Sequence, residues 1–521
     1  MKKCLLLIAL LFAIAASSYA KSAVFNILDY GAVGDGKTLT TASIQKAIDA
    51  CAANGGGLVT VPKGEFLIGT LNLASNVEFH METGATLIAT TDLTQYQIHN
   101  EQPAGVFYTE KAHNVSITGN GTIFGQGMEM MYIDSPKVIG GKEYTRQKDN
   151  FRKLESGVGD GPFYAKDRYH QMIVFSECTD LTLKDFTVID APYWTFLIVH
   201  CDGVLVDGLR IDNNLMIPNS DGLDVISSSN VIIANCYFSC GDDAIVLAGY
   251  AHHFGDPGFK GILKRSENIN VSNCILRSRS SAIRIGGWDQ NHMANYNFSN
   301  IVIFDSNRGI NLSVGDSGSV QNVNFTNIRI ETRLHTGDWW GQGDPIKITA
   351  IRGVPNSPRI GIIKNINFTN VSCRSENCIN MIASEETRLQ NIFFNNLQME
   401  FVKSEKEETI GGNLDLRPNI VPGKELFARD IPAIYVENAD NVMFDKVDVS
   451  WDRNIDQKHY TNAIEAVGVN GLRLTNVRAE ASPSNPQMSA VVLNNCRDFY
   501  TDSKLSVKKI NEPKVKEMEK K

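Results

Sequence analysis

The chain has 521 residues, 43% of them hydrophobic, with 50 basic and 58 acidic side chains and a net charge of −8. An acidic balance without a long basic run argues against a nucleic-acid partner. Beyond the first twenty residues no apolar stretch is long enough to cross a bilayer, so membrane insertion by a helix is not expected.

The chain opens Met1-Lys2-Lys3, runs through an apolar stretch from Cys4 to Ala16 and reaches Ser18-Tyr19-Ala20 before Lys21. A positive start, a short apolar core and small residues at −3 and −1 describe a signal peptide over residues 1–20, and hence a periplasmic or extracellular protein. Its removal takes away Lys2 and Lys3 and moves the net charge from −8 to −10. Nine cysteines remain, an odd number at irregular spacing, which does not describe a disulfide scaffold. Cys236 and Cys274 fall at one place in successive repeats and are expected to stack in a core.

Residues 41–51 place Ile44, Ala47, Ile48 and Cys51 at helical spacing, with Thr40 or Thr41 as N-cap. Gly55-Gly-Gly-Leu-Val-Thr-Val-Pro62 then opens a series of strands. The helix is expected to cap the open end of the solenoid these strands begin, since a bare solenoid end exposes unpaired edge groups.

From there one pattern recurs: Asn230-Val-Ile-Ile-Ala-Asn-Cys, Asn268-Ile-Asn-Val-Ser-Asn-Cys, Asn322-Val-Asn-Phe-Thr-Asn-Ile, Asn365-Ile-Asn-Phe-Thr-Asn-Val and others. Apolar residues alternate at period two, and an Asn or Asp closes most units. The closing residues Asp185, Asp207, Asn235, Asn273, Asn300 and Asn327 are 22, 28, 38, 27 and 27 apart. Alternation selects strands, and one short unit per repeat selects an all-β solenoid over a propeller, whose blades need about 40 residues. The recurrent Asn suits a left-handed turn conformation and a hydrogen bond to the Asn of the next coil, so it needs no ligand to explain it.

One domain over residues 21–500 is expected, with 501–521 as a charged C-terminal tail. Three segments depart from the repeat. Residues 126–170 and 249–265 are expected to wall a cleft, and 402–431 to be a surface excursion.

Two polar islands interrupt the strands: Asn219-Ser220-Asp221-Gly222 and Cys240-Gly241-Asp242-Asp243-Ala244. Asp221 and Asp242 are 21 residues apart, about one circuit, so they belong on neighbouring coils. Adjacent coils stack at roughly 4.8 Å, and a diagonal offset widens that toward the roughly 6.5–9.5 Å of inverting glycosidases. Three clustered carboxylates cannot all ionise freely, so one keeps a proton to donate. Asp242 and Asp243 reach one cleft only if the backbone turns between them, which Gly241 permits.

These motifs, with Asp29-Tyr-Gly-Ala-Val-Gly-Asp-Gly36, resemble glycoside hydrolase family 28, the polygalacturonases and rhamnogalacturonan hydrolases, across roughly residues 24–480. The resemblance implies a right-handed parallel β-helix and inverting hydrolysis of α-glycosidic bonds in galacturonate-containing pectic chains. Asp242 then matches the general acid, and Asp221 with Asp243 the pair that activates water. No metal or other cofactor is required. Asn219 belongs to the first motif and counts among the substrate-binding candidates.

The sequence departs from the family at two places. A Gly-His-Gly motif is replaced by Ser280-Ser-Ala-Ile-Arg-Ile-Gly286, and an Arg-Ile-Lys motif by Arg308-Gly-Ile-Asn-Leu-Ser313. Arg284 and Arg308 are the candidates to hold a substrate carboxylate, because a guanidinium grips one in bidentate fashion. His252, in a loop near the carboxylates, is the candidate to supply the missing imidazole. Trp288 and Trp339 are expected to meet substrate, and Trp194 to pack in the core.

The long loops point to exo action by a monomer on a pectic poly- or oligosaccharide. Two rivals stand beside this: a calcium-dependent lyase with Arg284 as base and the aspartates as metal ligands, and a glycan-binding solenoid without catalysis.

Overall fold

The computed structural model describes residues 23–99, 101–136, 138–139, 142–143, 161–251, 264–335, 339–406, 411–421 and 426–511. The expected signal peptide and His252 lie outside them. No helix among the described residues is long and apolar enough to cross a membrane.

The chain is a right-handed parallel β-helix. One sheet of 13 parallel strands runs from Phe107–Glu110 to Val507–Ile510, each strand pairing with that of the preceding coil. A second sheet of 24 strands forms the rest of the coils. Its longest members, such as Met293–Ser306 and Val320–Thr332, pass through a corner without losing register.

Those corners explain the repeat. Asn273, Asn300, Asn327 and Asn370 all have φ between 55° and 57°, a left-handed conformation that Asn tolerates better than most residues. Each side chain bonds that of the coil before, Asn273 to Asn235, Asn300 to Asn273, Asn327 to Asn300 and Asn370 to Asn327, at 3.0–3.2 Å. A second Asn ladder runs through Asn230, Asn268, Asn295, Asn322, Asn365, Asn391 and Asn441. Inside the coils Phe298, Phe325, Phe368, Phe394 and Phe444 stack at centroid distances of 4.5–5.1 Å. Cys236 and Cys274 are buried free thiols in the same core.

Helix α1 (Thr41–Ala53) buries Ile44, Ala47, Ile48 and Cys51 as expected. Thr40 stands at its N-cap position but makes no capping bond; its hydroxyl accepts from Val33 N–H at 3.2 Å instead. At the other end the expected tail begins later than residue 501, because Val507–Ile510 pair with Val491–Asn494 and extend the sheet by one strand. Val507 and Ile510 are half-buried at the ends of that strand and Lys508 and Lys509 are exposed.

The 13-stranded sheet differs from the other in one respect that matters for function. Seven successive strands, β1 (Trp194–Val199), β2 (Leu223–Ile226), β3 (Ile245–Ala248), β4 (Ser281–Gly287), β5 (Arg308–Val314), β6 (Ile346–Ala350) and the following Ile379–Ala383, are buried on both faces along nearly their whole length. Strands of the larger sheet alternate between buried and exposed. Something therefore covers the outward face of β1–β6.

Candidate active site

Across β2–β6 the pairing lines up Asp224, Val246, Arg284, Asn311 and Lys347 as one rung per coil on a single ladder. Just before β2 and β3 the chain leaves the strand, and the two polar islands sit in those breaks. The register Leu223↔Ile245 carried back two residues sets Asp221 level with Asp243, and Gly222 N–H donates to Asp243 C=O at 2.9 Å. Asp221, Asp242 and Asp243 each place one carboxylate oxygen within 4.8 Å of the others.

That register leaves Asp242 one residue off Asp221 on the neighbouring coil, the diagonal arrangement expected from the sequence, and from it the three carboxylates converge.

Two glycines make the close stack possible. A Cβ on Gly222 would lie 2.4 Å from Ala244 C=O and 2.9 Å from Cys240 Sγ. One on Gly241 would lie 2.5 Å from Ile217 C=O. Gly241 thus serves by close approach, not by a left-handed backbone; the left-handed residue here is Asn219, at φ 56°. Ser220 ties the islands together, its Oγ accepting from Gly241 N–H at 3.1 Å and donating to Ile217 C=O at 3.0 Å.

The carboxylates are held unequally. Asp243 Oδ1 accepts from Ser281 N–H at 2.7 Å, and Oδ2 pairs with Arg284 at 3.2 Å. Asp242 Oδ1 accepts from Asp243 N–H at 2.9 Å. Asp221 Oδ1 is buried without a hydrogen-bond partner. Burial, and next the charge of Asp242, push the Asp221 carboxyl well above its usual range. The charged form of Asp221 is therefore disfavoured, while Asp243 is matched by the Arg284 guanidinium. Arg284 also donates to Tyr250 Oη at 2.7 Å. Although burial opposes its charge, Tyr250 and Asp243 outweigh that and hold the guanidinium above its ordinary value.

Around the aspartates lies a cavity of about 300 Å³, whose lining includes Tyr193, Trp194, Asn219, Arg284, Trp288 and Arg308. Trp194 lines it and also packs with Leu197, Val246 and Tyr250 in a small apolar cluster on the outward face of the sheet. Trp339 does not line it. That ring is 2% exposed and lies against Gly161, where a Cβ would come within 2.6 Å. Its neighbour Trp340 faces the cavity instead, because the two consecutive side chains diverge. The first excursion reaches the rim through Arg168, which donates to Asn219 Oδ1 at 3.3 Å and lies over the Tyr193 ring at 4.5 Å.

The third excursion is no surface feature. Residues 411–421 fold back over β5 and β6 and add Arg417 and Pro418 to the lining. Trp288 and Pro418 both crowd Gly353, where a Cβ would stand 2.7 Å and 3.0 Å from them. Arg308, expected to be free to grip a substrate, is 3% exposed and pairs with Asp344 at 3.6 Å and with Asp415. Sequence reasoning missed Asp224, Asp344, Lys347, Asp415 and Arg417, all buried. For the last two a signal was present: Asp415-Leu-Arg417-Pro418 sets opposite charges two apart, on one face of an extended segment.

A parallel β-helix with an acid triad and a cationic group facing one covered cleft defines a carbohydrate-type solenoid site more narrowly than the fold alone. Residues 51–410 match glycosyl hydrolases family 28. The chain belongs to that family; Asp415 and Arg417 lie outside the matched stretch. It is similar to a probable polygalacturonase of Vitis vinifera, 26% identical over 48% of this chain and 50% of the relative. It is also similar to an exopolygalacturonase of Zea mays, 25% identical over 51% of this chain and 62% of the relative. The chain thus spans about half to three-fifths of the length of these curated relatives. The solved family 28 exopolygalacturonase of Yersinia enterocolitica shares the fold, with a TM-score of 0.64 and 19% identity over 87% of this chain and 78% of that one.

Proposed function

We propose that the chain is an exported, inverting hydrolase of α-glycosidic bonds in galacturonate-containing pectic chains. Asp242 donates the proton to the leaving oxygen. Asp221 and Asp243 hold the attacking water between them. The observation that carries this is the unequal holding of three carboxylates in one cavity, one paired with Arg284, one unpartnered and buried, and one on the turn between them. Asn219, Arg284, Arg308, Trp288 and Trp340 bind the sugar, and His252 is kept as a candidate for the imidazole that the sequence lacks at its usual place.

The likeness to an exopolygalacturonase supports release of short products from a chain end. The three carboxylates converge within one chain, so a monomer suffices for this reading. The segment 1–20 supports a location outside the cytoplasm.

The same triad satisfies a calcium reading, since its oxygens converge. The engagement of Arg284 with Asp243 and Tyr250 speaks against its serving as a lyase base. Mass spectrometry of products formed in heavy-oxygen water decides. Label at the new reducing end, indifferent to chelator, is expected; an unsaturated product lighter by one water and lost in chelator would replace hydrolysis by elimination. Proton magnetic resonance of the first-formed reducing end should show the β anomer from an α-linked substrate, and the α anomer would overturn inversion.

A further inference from the structure

Arg417 enters the cavity from a segment that belongs to no coil, and only part of its guanidinium is spoken for. Nε and Nη2 donate to Asp415 Oδ1 and Oδ2, each at 2.7 Å. Its plane lies 4.5 Å from the Trp340 ring centroid. Nη1 is buried and has no hydrogen-bond partner, in a residue only 4% exposed. Asp415 also accepts from Arg308 Nη2 and, at 3.0 Å, from Gly341 N–H. One carboxylate thus fixes two guanidinium groups side by side, and both of them line the cavity.

The charges of this cluster do not balance. Arg308, Lys347 and Arg417 face Asp344 and Asp415, all buried, so with Lys347 protonated three cations stand against two carboxylates. An uncompensated buried charge and an unpartnered guanidinium nitrogen are both costly, and an anion entering from the cavity relieves both.

The geometry points to Arg417 as the residue that selects a carboxylate-bearing sugar, receiving the uronate carboxylate jointly with Arg308, while Asp415 acts as the positioning residue for both. The assignment rests on reading the cleft as a pectic-glycan site, and it puts specificity on a segment outside the stretch that matches the family. A carboxylate matches the single net charge and the one unpartnered guanidinium nitrogen, whereas a phosphate dianion would overcompensate the cluster.

The test compares wild type, R417Q, R417K and D415N on a galacturonate oligomer and on the same oligomer with its carboxyl groups reduced to alcohols. Calorimetric binding of D-galacturonate and D-galactose runs beside it, and thermal melting checks each variant's fold. R417Q should lose about 10- to 100-fold in kcat/KM on the acidic oligomer, chiefly through KM, and change by less than about threefold on the reduced one. R417K keeps the charge without the fork and should fall between; it decides the matter if R417Q does not fold. D415N should reproduce part of the loss. Equal losses on both oligomers, or an R417Q that prefers the acid as strongly as wild type, would overturn the assignment and leave hydrolysis standing. Arg417-dependent binding of galacturonate by a protein that cleaves no pectic substrate would do the reverse. Failure to bind either sugar would remove both.

Discussion

The two poles of the cleft are made differently. The acidic pole is part of the solenoid: Asp221, Asp242 and Asp243 sit in breaks between paired strands, held by backbone hydrogen bonds and by glycines that admit no side chain. The cationic pole is assembled from side chains: Asp415 joins Arg417 on the excursion to Arg308 on β5, and Lys347 on β6 donates to the Arg417 carbonyl. The backbone fixes the acids to one another, whereas the cations are fixed chiefly through side-chain pairs with Asp415 and Asp344. Chemistry is placed where the scaffold is stiffest and recognition where a loop can vary.

The contrast can be broken most sharply at Asp242. D242N should lower kcat by about 10²–10⁴-fold, the range of general acid catalysis, while galacturonate binding changes little; activity within tenfold of wild type would take the acid role from Asp242. G222A should come next. Its Cβ meets backbone and sulfur atoms that cannot give way, so Asp221 must shift, and a displacement near 1 Å costs about a hundredfold in kcat with about 1–3 kcal/mol of stability. Melting temperature and kcat falling together would bear this out, and an unchanged kcat would show that the aspartates do not need the stack.

The cationic pole should respond to pH instead. Burial, and next the charge of Arg308, push Lys347 down to about 7, with Asp415 and Asp344 pulling the other way and Arg417 adding to the depression. A bound carboxylate favours the charged amine. Below pH 7 that amine is already charged in the empty site, so affinity for galacturonate should be flat there. Above pH 7 binding must take up a proton and should weaken by up to about tenfold per pH unit. Calorimetry on D242N, which separates binding from turnover, measures this; K347M should abolish the slope, and a slope that persists would place the titrating group elsewhere. The smallest effect belongs to neither pole. N300A removes two ladder bonds and puts Ala at φ 55°, costing about 1–2 kcal/mol in denaturant unfolding without altering kcat.

The same contrast explains what could be read in advance. The coil repeat, the capping helix and the Asn corners were legible because a solenoid writes its period into the sequence. The acid triad was legible because it interrupts that period. The partners of its carboxylates were not, since Ser281 and Arg284 come from the next coil and the motif does not name them. Arg417 and Asp415 stayed hidden for a different reason: an excursion has no period, so its sequence does not say which coil it returns to. Of the Trp339-Trp340 pair the sequence shows that it stands between glycines, but which ring turns inward depends on the small residue, Gly161, brought beneath Trp339 from far along the chain.

The ladder of rungs across β2–β6 has a consequence for evolution. A group carried on a coil can be moved along the cleft only in whole steps of roughly 4.8 Å, as Arg284, Asn311 and Lys347 are set one step apart. Residues 411–421 are under no such constraint and can hold a guanidinium at any height between steps. The coils act as the graduated scale and the excursion as its vernier, so the position of Arg417 can change without moving any coil.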